Sequence, residues 1–67
     1  MFRPELLKAK MVELHINADT LSDKLGINVT TLYRKINGDS EFNRNELNII
    51  RDILNLSSDD MDAIFFA

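Results

Sequence analysis

Residues Ile16 to Gly38, INADTLSDKLGINVTTLYRKING, decide how this chain folds. They read as two short helices joined by a tight turn, with the second helix presented outward. Leu21 and Leu25 share one helical face, with Ala18 and Ser22 beside them, while Asp19, Asp23 and Lys24 point away; apolar residues four apart form one helix stripe. Gly26 ends the first helix, because the residue after a helix C-terminus often takes a positive φ that glycine adopts readily. Ile27 then folds back to close the apolar contact. Asn28 offers a side-chain oxygen as N-cap of the second helix, whose inward residues are Leu32 and Ile36, and Asn37-Gly38 supplies the stop. Thr30, Arg34 and Asn37 share the opposite stripe. The pattern predicts a helix-turn-helix.

Toward the N-terminus, Pro4 suits the first turn of a helix running to about Leu14, since proline there gives up no intrahelical hydrogen bond. Its inward stripe is expected to be Leu7, Met11 and Leu14, helped by Leu6. His15 to Asn17 forms the next connection, with Asn17 as a cap. Toward the C-terminus, Asn43-x-x-Glu46 has the form of a capping box, and Phe42 before it can pack on Leu47 as a hydrophobic staple. Leu47, Ile50 and Leu54 mark the face of that helix, widened by Ile49, Ile53 and Leu56. Ser57 or Ser58 can cap a last short helix, with Asp59 and Asp60 at its positive end and Met61, Ile64 and Phe65 on its apolar side. Five helices and no strand signal predict a compact all-α fold.

The terminal run Ile64-Phe65-Phe66 needs cover, because apolar surface left in water costs about 25 cal/mol per Å². The readier expectation is that these side chains close the small core. The alternative is that part of this surface, with Ile49 or Ile53, meets a second subunit or another protein.

Composition sets bounds. A chain of 67 residues is expected to form one domain, 1–67, that buries only about 60% of its unfolded surface. With 45% hydrophobic residues, two glycines and one proline, it reads as globular and helix-leaning. The absence of cysteine excludes disulfides and thiolate metal sites. No apolar run approaches a membrane span and no basic-then-apolar leader opens the chain, so a soluble, cytoplasmic protein is expected.

The formal net charge of −3 runs against nucleic-acid binding, which depends on Lys and Arg neutralising phosphates. Its distribution softens the objection. All eight basic residues lie within residues 1–51, whereas Asp52, Asp59, Asp60 and Asp62 follow with no base among them. Lys24, Arg34, Lys35 and Arg44 can form a small basic patch.

Across Ile16 to Gly38 the chain resembles the phage-repressor type of helix-turn-helix protein, the lambda repressor and Cro-like group also called the XRE family. Leu21, Leu25, Gly26, Ile27, Leu32 and Asn37-Gly38 sit where that family keeps its anchors, and the small Ser22 sits where the two helices approach. Ala18 stands where the family often has glutamine, and Asp39 and Glu41 follow the second helix where neutral or basic residues would suit a phosphate-facing loop. The resemblance implies a five-helix lambda repressor-like DNA-binding domain. It also implies a sequence-specific transcriptional regulator that places a recognition helix, about residues 28–36, in the major groove of an operator. By the same resemblance Val29, Thr30 and Arg34 lie at or near base edges, and Asn37 lies near the DNA backbone.

The residue types agree with such work. The outward side offers Asn28, Val29, Thr30, Thr31, Tyr33 and Arg34. Arginine can donate two hydrogen bonds to guanine, threonine can bond a base edge or touch a thymine methyl, and valine can only pack on that methyl. Asn28, Thr31 and Asn37 suit phosphate oxygens, which orient without reading sequence. Asn28 and Asn37 serve equally as cap and turn residues, and Val29 as core. Arg34 has no local structural duty.

One short helix contacts few base pairs, so two half-sites and hence a homodimer are expected. A rival reading keeps the scaffold but uses it as a protein-binding modulator or antirepressor that grips another phage regulator, an acidic surface meeting a basic one. Catalysis has little support. His15 is the sole histidine and lies at a helix end, and no cysteine nucleophile accompanies it. The run Asp59-Asp60-Met61-Asp62 lacks the glycine and terminal glutamate of a calcium loop. No cofactor or metal is expected.

Overall fold

Three of the helix-to-helix connections in this protein are built to one recipe. In the computed structural model, which describes every residue from Met1 to Ala67, the helices are α1 (Pro4–Glu13), α2 (Ala18–Leu25), α3 (Val29–Ile36), α4 (Arg44–Ile53) and α5 (Ser58–Met61). The last continues into a turn of π-helix, Asp62–Phe66. Between α1 and α2, α2 and α3, and α4 and α5 the chain follows the same order: a left-handed residue, an apolar residue, a cap. The three triplets are His15-Ile16-Asn17, Gly26-Ile27-Asn28 and Asn55-Leu56-Ser57, with φ of 57°, 73° and 51° at their first residues.

Each corner closes by paired backbone bonds. The Ile16 N–H donates to the Met11 carbonyl at 2.8 Å, that of Ile27 to Ser22 at 3.1 Å, and that of Leu56 to Arg51 at 2.9 Å. The left-handed residues donate in turn to Val12, Asp23 and Asp52. These bonds use up helix-end carbonyls that have no partner within the helix. The cap side chains then accept from the next helix: Asn17 from the Thr20 N–H, Asn28 from Thr31 and Ser57 from Asp60, at 2.8, 2.8 and 3.0 Å. The Asp60 carboxylate answers by accepting from the Ser57 N–H. That backbone bond is the main reason its pKa lies below the ordinary 3.8.

The expected box at α4 forms as well. Asn43 accepts from the Glu46 N–H at 2.8 Å and Glu46 accepts from the Asn43 N–H at 2.9 Å. Phe42 and Leu47, the expected staple pair, both lie half-buried against the core.

The core draws on every helical layer. Leu7 and Met11 come from α1, Leu21 from α2, Leu32 and Ile36 from α3, and Ile50, Leu54 and Leu56 from α4 and its corner. Ile64 and Phe65 close it from the π turn. Leu7, Leu21, Leu32, Ile50 and Leu54 are fully buried, each contributing about 1.5–3 kcal/mol by leaving water. The two ends of the chain also meet. Phe2 stacks on Phe65 with ring centroids 5.4 Å apart, Phe42 stands edge-on to both, and the Arg3 N–H donates to the Ile64 carbonyl at 2.7 Å.

Two expectations need correction. Leu14 is 41% exposed and not part of the inward stripe of α1. The helix stops before it and the backbone reverses at His15, so Ile16 takes the place against the core. At the other end Ile64 and Phe65 close the core, but Phe66 is 61% exposed. Here the Ala67 N–H donates five residues back to the Asp62 carbonyl at 2.6 Å, and the wider turn carries Phe66 off the face that holds its neighbours.

Candidate nucleic-acid interface

Helix α3 is pinned from one side only. Leu32 and Ile36 are buried, α2 packs against it, and the buried Ser22 hydroxyl turns back to donate to its own helix at the Asp19 carbonyl, 2.9 Å away. The one buried polar side chain of α2 is therefore satisfied within its own helix. The opposite stripe carries Thr30, Tyr33, Arg34 and Asn37, all exposed. None of these four side chains has a hydrogen bond or an ion pair within the protein.

The other sequence-predicted residues divide. The Asn28 side-chain oxygen is occupied by the Thr31 N–H, leaving its amide NH₂ free to donate. Val29 and Thr31 are half-buried at the start of the helix. Arg34, Thr30 and Asn37 thus share one exposed stripe, as the spacing predicts, with Tyr33 beside them at 51% exposure.

The basic patch is smaller than the sequence suggested, and Lys35 is the correction. Its ammonium lies 2.8 Å from the Glu46 carboxylate, donates to the Glu41 carbonyl at 3.1 Å and sits 5.9 Å from the centre of the Phe42 ring. Both members of the ion pair are largely withdrawn from solvent, with side chains 12% and 6% exposed. Lys35 therefore holds the loop between α3 and α4 and is not a free cation. Sequence reasoning gave Glu46 a capping role alone. Its second role depends on a partner eleven residues away, which helical spacing does not register.

Lys24, Arg34 and Arg44 remain exposed and without a carboxylate partner. Asp39 and Glu41 are exposed on the loop that follows α3. His15 serves as the left-handed residue of its corner. No group of three or more His, Asp or Glu side chains is placed to hold a metal ion, and no helix is long and apolar enough to cross a membrane. Compared with protein-family models, with characterised proteins and with solved structures, the chain gives no significant match.

Proposed function

We propose that this protein is a small, cytoplasmic, sequence-specific DNA-binding regulator of the lambda repressor and Cro-like helix-turn-helix kind. In this reading α2 and α3, with the Gly26 corner, form the motif, and α3 enters the major groove of an operator. One observation carries it. A stripe of side chains suited to base edges and phosphates, Thr30, Tyr33, Arg34 and Asn37, stands exposed along α3 with no partner in its own chain. Arg34 reads a base, by the geometry that lets a guanidinium bond guanine twice. Thr30 and Val29 lie beside it, while Thr31, Asn37 and the free amide of Asn28 hold the backbone. Two copies on half-sites roughly 34 Å apart supply the affinity that one short helix lacks.

Titration against the DNA flanking its own gene, over a salt series, tests the reading. Each phosphate contact contributes a slope of about −0.9 in log affinity against log salt, so a saturable complex that weakens steeply with salt supports it. A second reading, a modulator that grips a regulatory protein, draws on the exposed Asp39 and Glu41 beside α3. Absence of any DNA complex at low salt, with capture of a basic regulator encoded nearby, would favour that reading instead.

A further inference from the structure

A groove of about 450 Å³ lies between α4 and the terminal helix and shares no residue with the exposed stripe of α3. Leu47 and Met61, both half-buried, and the exposed ring of Phe66 give it an apolar floor. On α4, Arg44 precedes Leu47 by three residues and Arg51 follows it by four, so all three share one stripe of the helix. Seven residues at 1.5 Å each set the two arginines about 10.5 Å apart along the axis. Asp62 stands on the opposite wall.

These charges do not close on one another. Arg44 and Asp62 form no ion pair, and Arg51 approaches only its neighbour Asp52, at 3.8 Å. A chain with a net charge of −3 thus has here two cations against one anion, a local excess of the opposite sign. The complement of such a groove is acidic where it meets α4, apolar along its middle and basic or neutral toward Asp62. An amphipathic α-helix repeats the spacing of α4, so carboxylates seven residues apart reach both arginines while an aliphatic residue between them enters the floor. No helix of this chain carries that pattern: carboxylates stand eight apart in α1, four apart in α2, six apart in α4 and at most three apart in the terminal helix, and α3 has none. The occupant is a different protein.

We propose that this groove docks an acidic amphipathic helix of another protein. Its carboxylates pair with Arg44 and Arg51, and its aliphatic stripe packs on Leu47, Met61 and Phe66. The site rests on these two walls and not on the DNA reading, and it stands if α3 binds nothing.

A synthetic helix on an alanine and glutamine background, with glutamates seven residues apart and leucine between them, tests the site against the same helix with lysine in place of glutamate. Fluorescence anisotropy with the wild-type chain is expected to show saturable binding of the glutamate helix at roughly 10–100 μM, and binding weaker by about tenfold or more for the lysine helix. Methionine-methyl NMR is expected to shift Met61 and to leave the buried Met11 in place. Arg44→Glu/Arg51→Glu is expected to invert the preference, and Phe66→Ser to weaken both peptides without changing their order. All three positions are exposed, and the two peptides on wild type decide the question even if a variant fails to fold. No binding of the glutamate helix at about 1 mM, equal affinity for the two helices, or a preference unmoved in a folded double variant overturns the proposal. So does a wild-type dimer that the glutamate helix dissociates, since the groove then belongs to a second copy.

Discussion

Lys35 and Glu46 join the end of α3 to the start of α4: the ammonium lies 2.8 Å from a carboxylate that is itself the reciprocal cap of α4. One buried carboxylate therefore does two jobs. It orders the loop Asn37–Asn43 and fixes the direction in which α4 leaves.

Glu46→Ala should be among the more damaging single changes. It removes the capping bond and strands an ammonium largely withdrawn from solvent, a loss of about 3–5 kcal/mol, which is a large share of the roughly 5–15 kcal/mol that holds a domain together. Lys35→Met/Glu46→Leu replaces the pair by apolar groups and should lose far less than the two single changes summed. Urea unfolding of the four proteins at one concentration checks this. Additive losses would show that the pair contributes nothing jointly.

Arg34→Ala should leave stability within about 0.5 kcal/mol, as surface changes away from special features do. Under the proposed function it should weaken binding to an operator by about 1–3 kcal/mol and relax preference at one base pair. Competition binding with single-base operator variants reads both effects. An unaltered preference would remove Arg34 from the reading role.

The corners predict opposite signs for opposite exchanges. At Gly26, with φ of +73°, an added Cβ meets nothing within 4 Å, so Gly26→Ala carries the backbone term alone, a loss of about 1–2 kcal/mol. His15 holds a similar angle, φ 57°, with a full side chain, so His15→Gly should gain a few tenths of a kcal/mol after the entropy of glycine in the unfolded chain is set against it. Thermal midpoints order the three proteins as His15→Gly, wild type, Gly26→Ala.

The Ser57–Asp60 box makes the start of the terminal helix sensitive to acid. The Asp60 pKa is lowered in the folded protein by the Ser57 N–H, so the stabilisation is fully present above the ordinary carboxyl value. It is lost as pH falls through the depressed folded value. A carboxyl carbon titration by NMR should place the Asp60 midpoint below 3.8, and Asp60→Asn should flatten this part of the acid dependence. A midpoint at or above that value would mean the bond does not persist in solution.

Much of the architecture could be read from neighbouring residues because its determinants are local. Asn17, Asn28, Asn43 and Gly26 each act on groups two to four positions away, and each does what its type and place suggest. Leu14 escaped because periodicity extends a stripe past the point where the backbone turns. Lys35 escaped because its carboxylate lies across a loop, and the stacking of Phe2 on Phe65 because the pair joins opposite ends of the chain. Phe66 escaped because a π turn shifts register by a residue without any mark in the apolar pattern. At the candidate interface, both the exposed stripe of α3 and the engagement of the Asn28 oxygen as its cap followed from spacing and residue type.

The recurring corner has one more implication. Heading is reset three times by three adjacent residues, so most of the folding instructions reside at bends and in buried stripes. The outer side of α3 carries none of them. Its solvent-facing letters are free to be rewritten, and under the proposed DNA-binding function a descendant could acquire a new target by a few exchanges there while keeping the same shape.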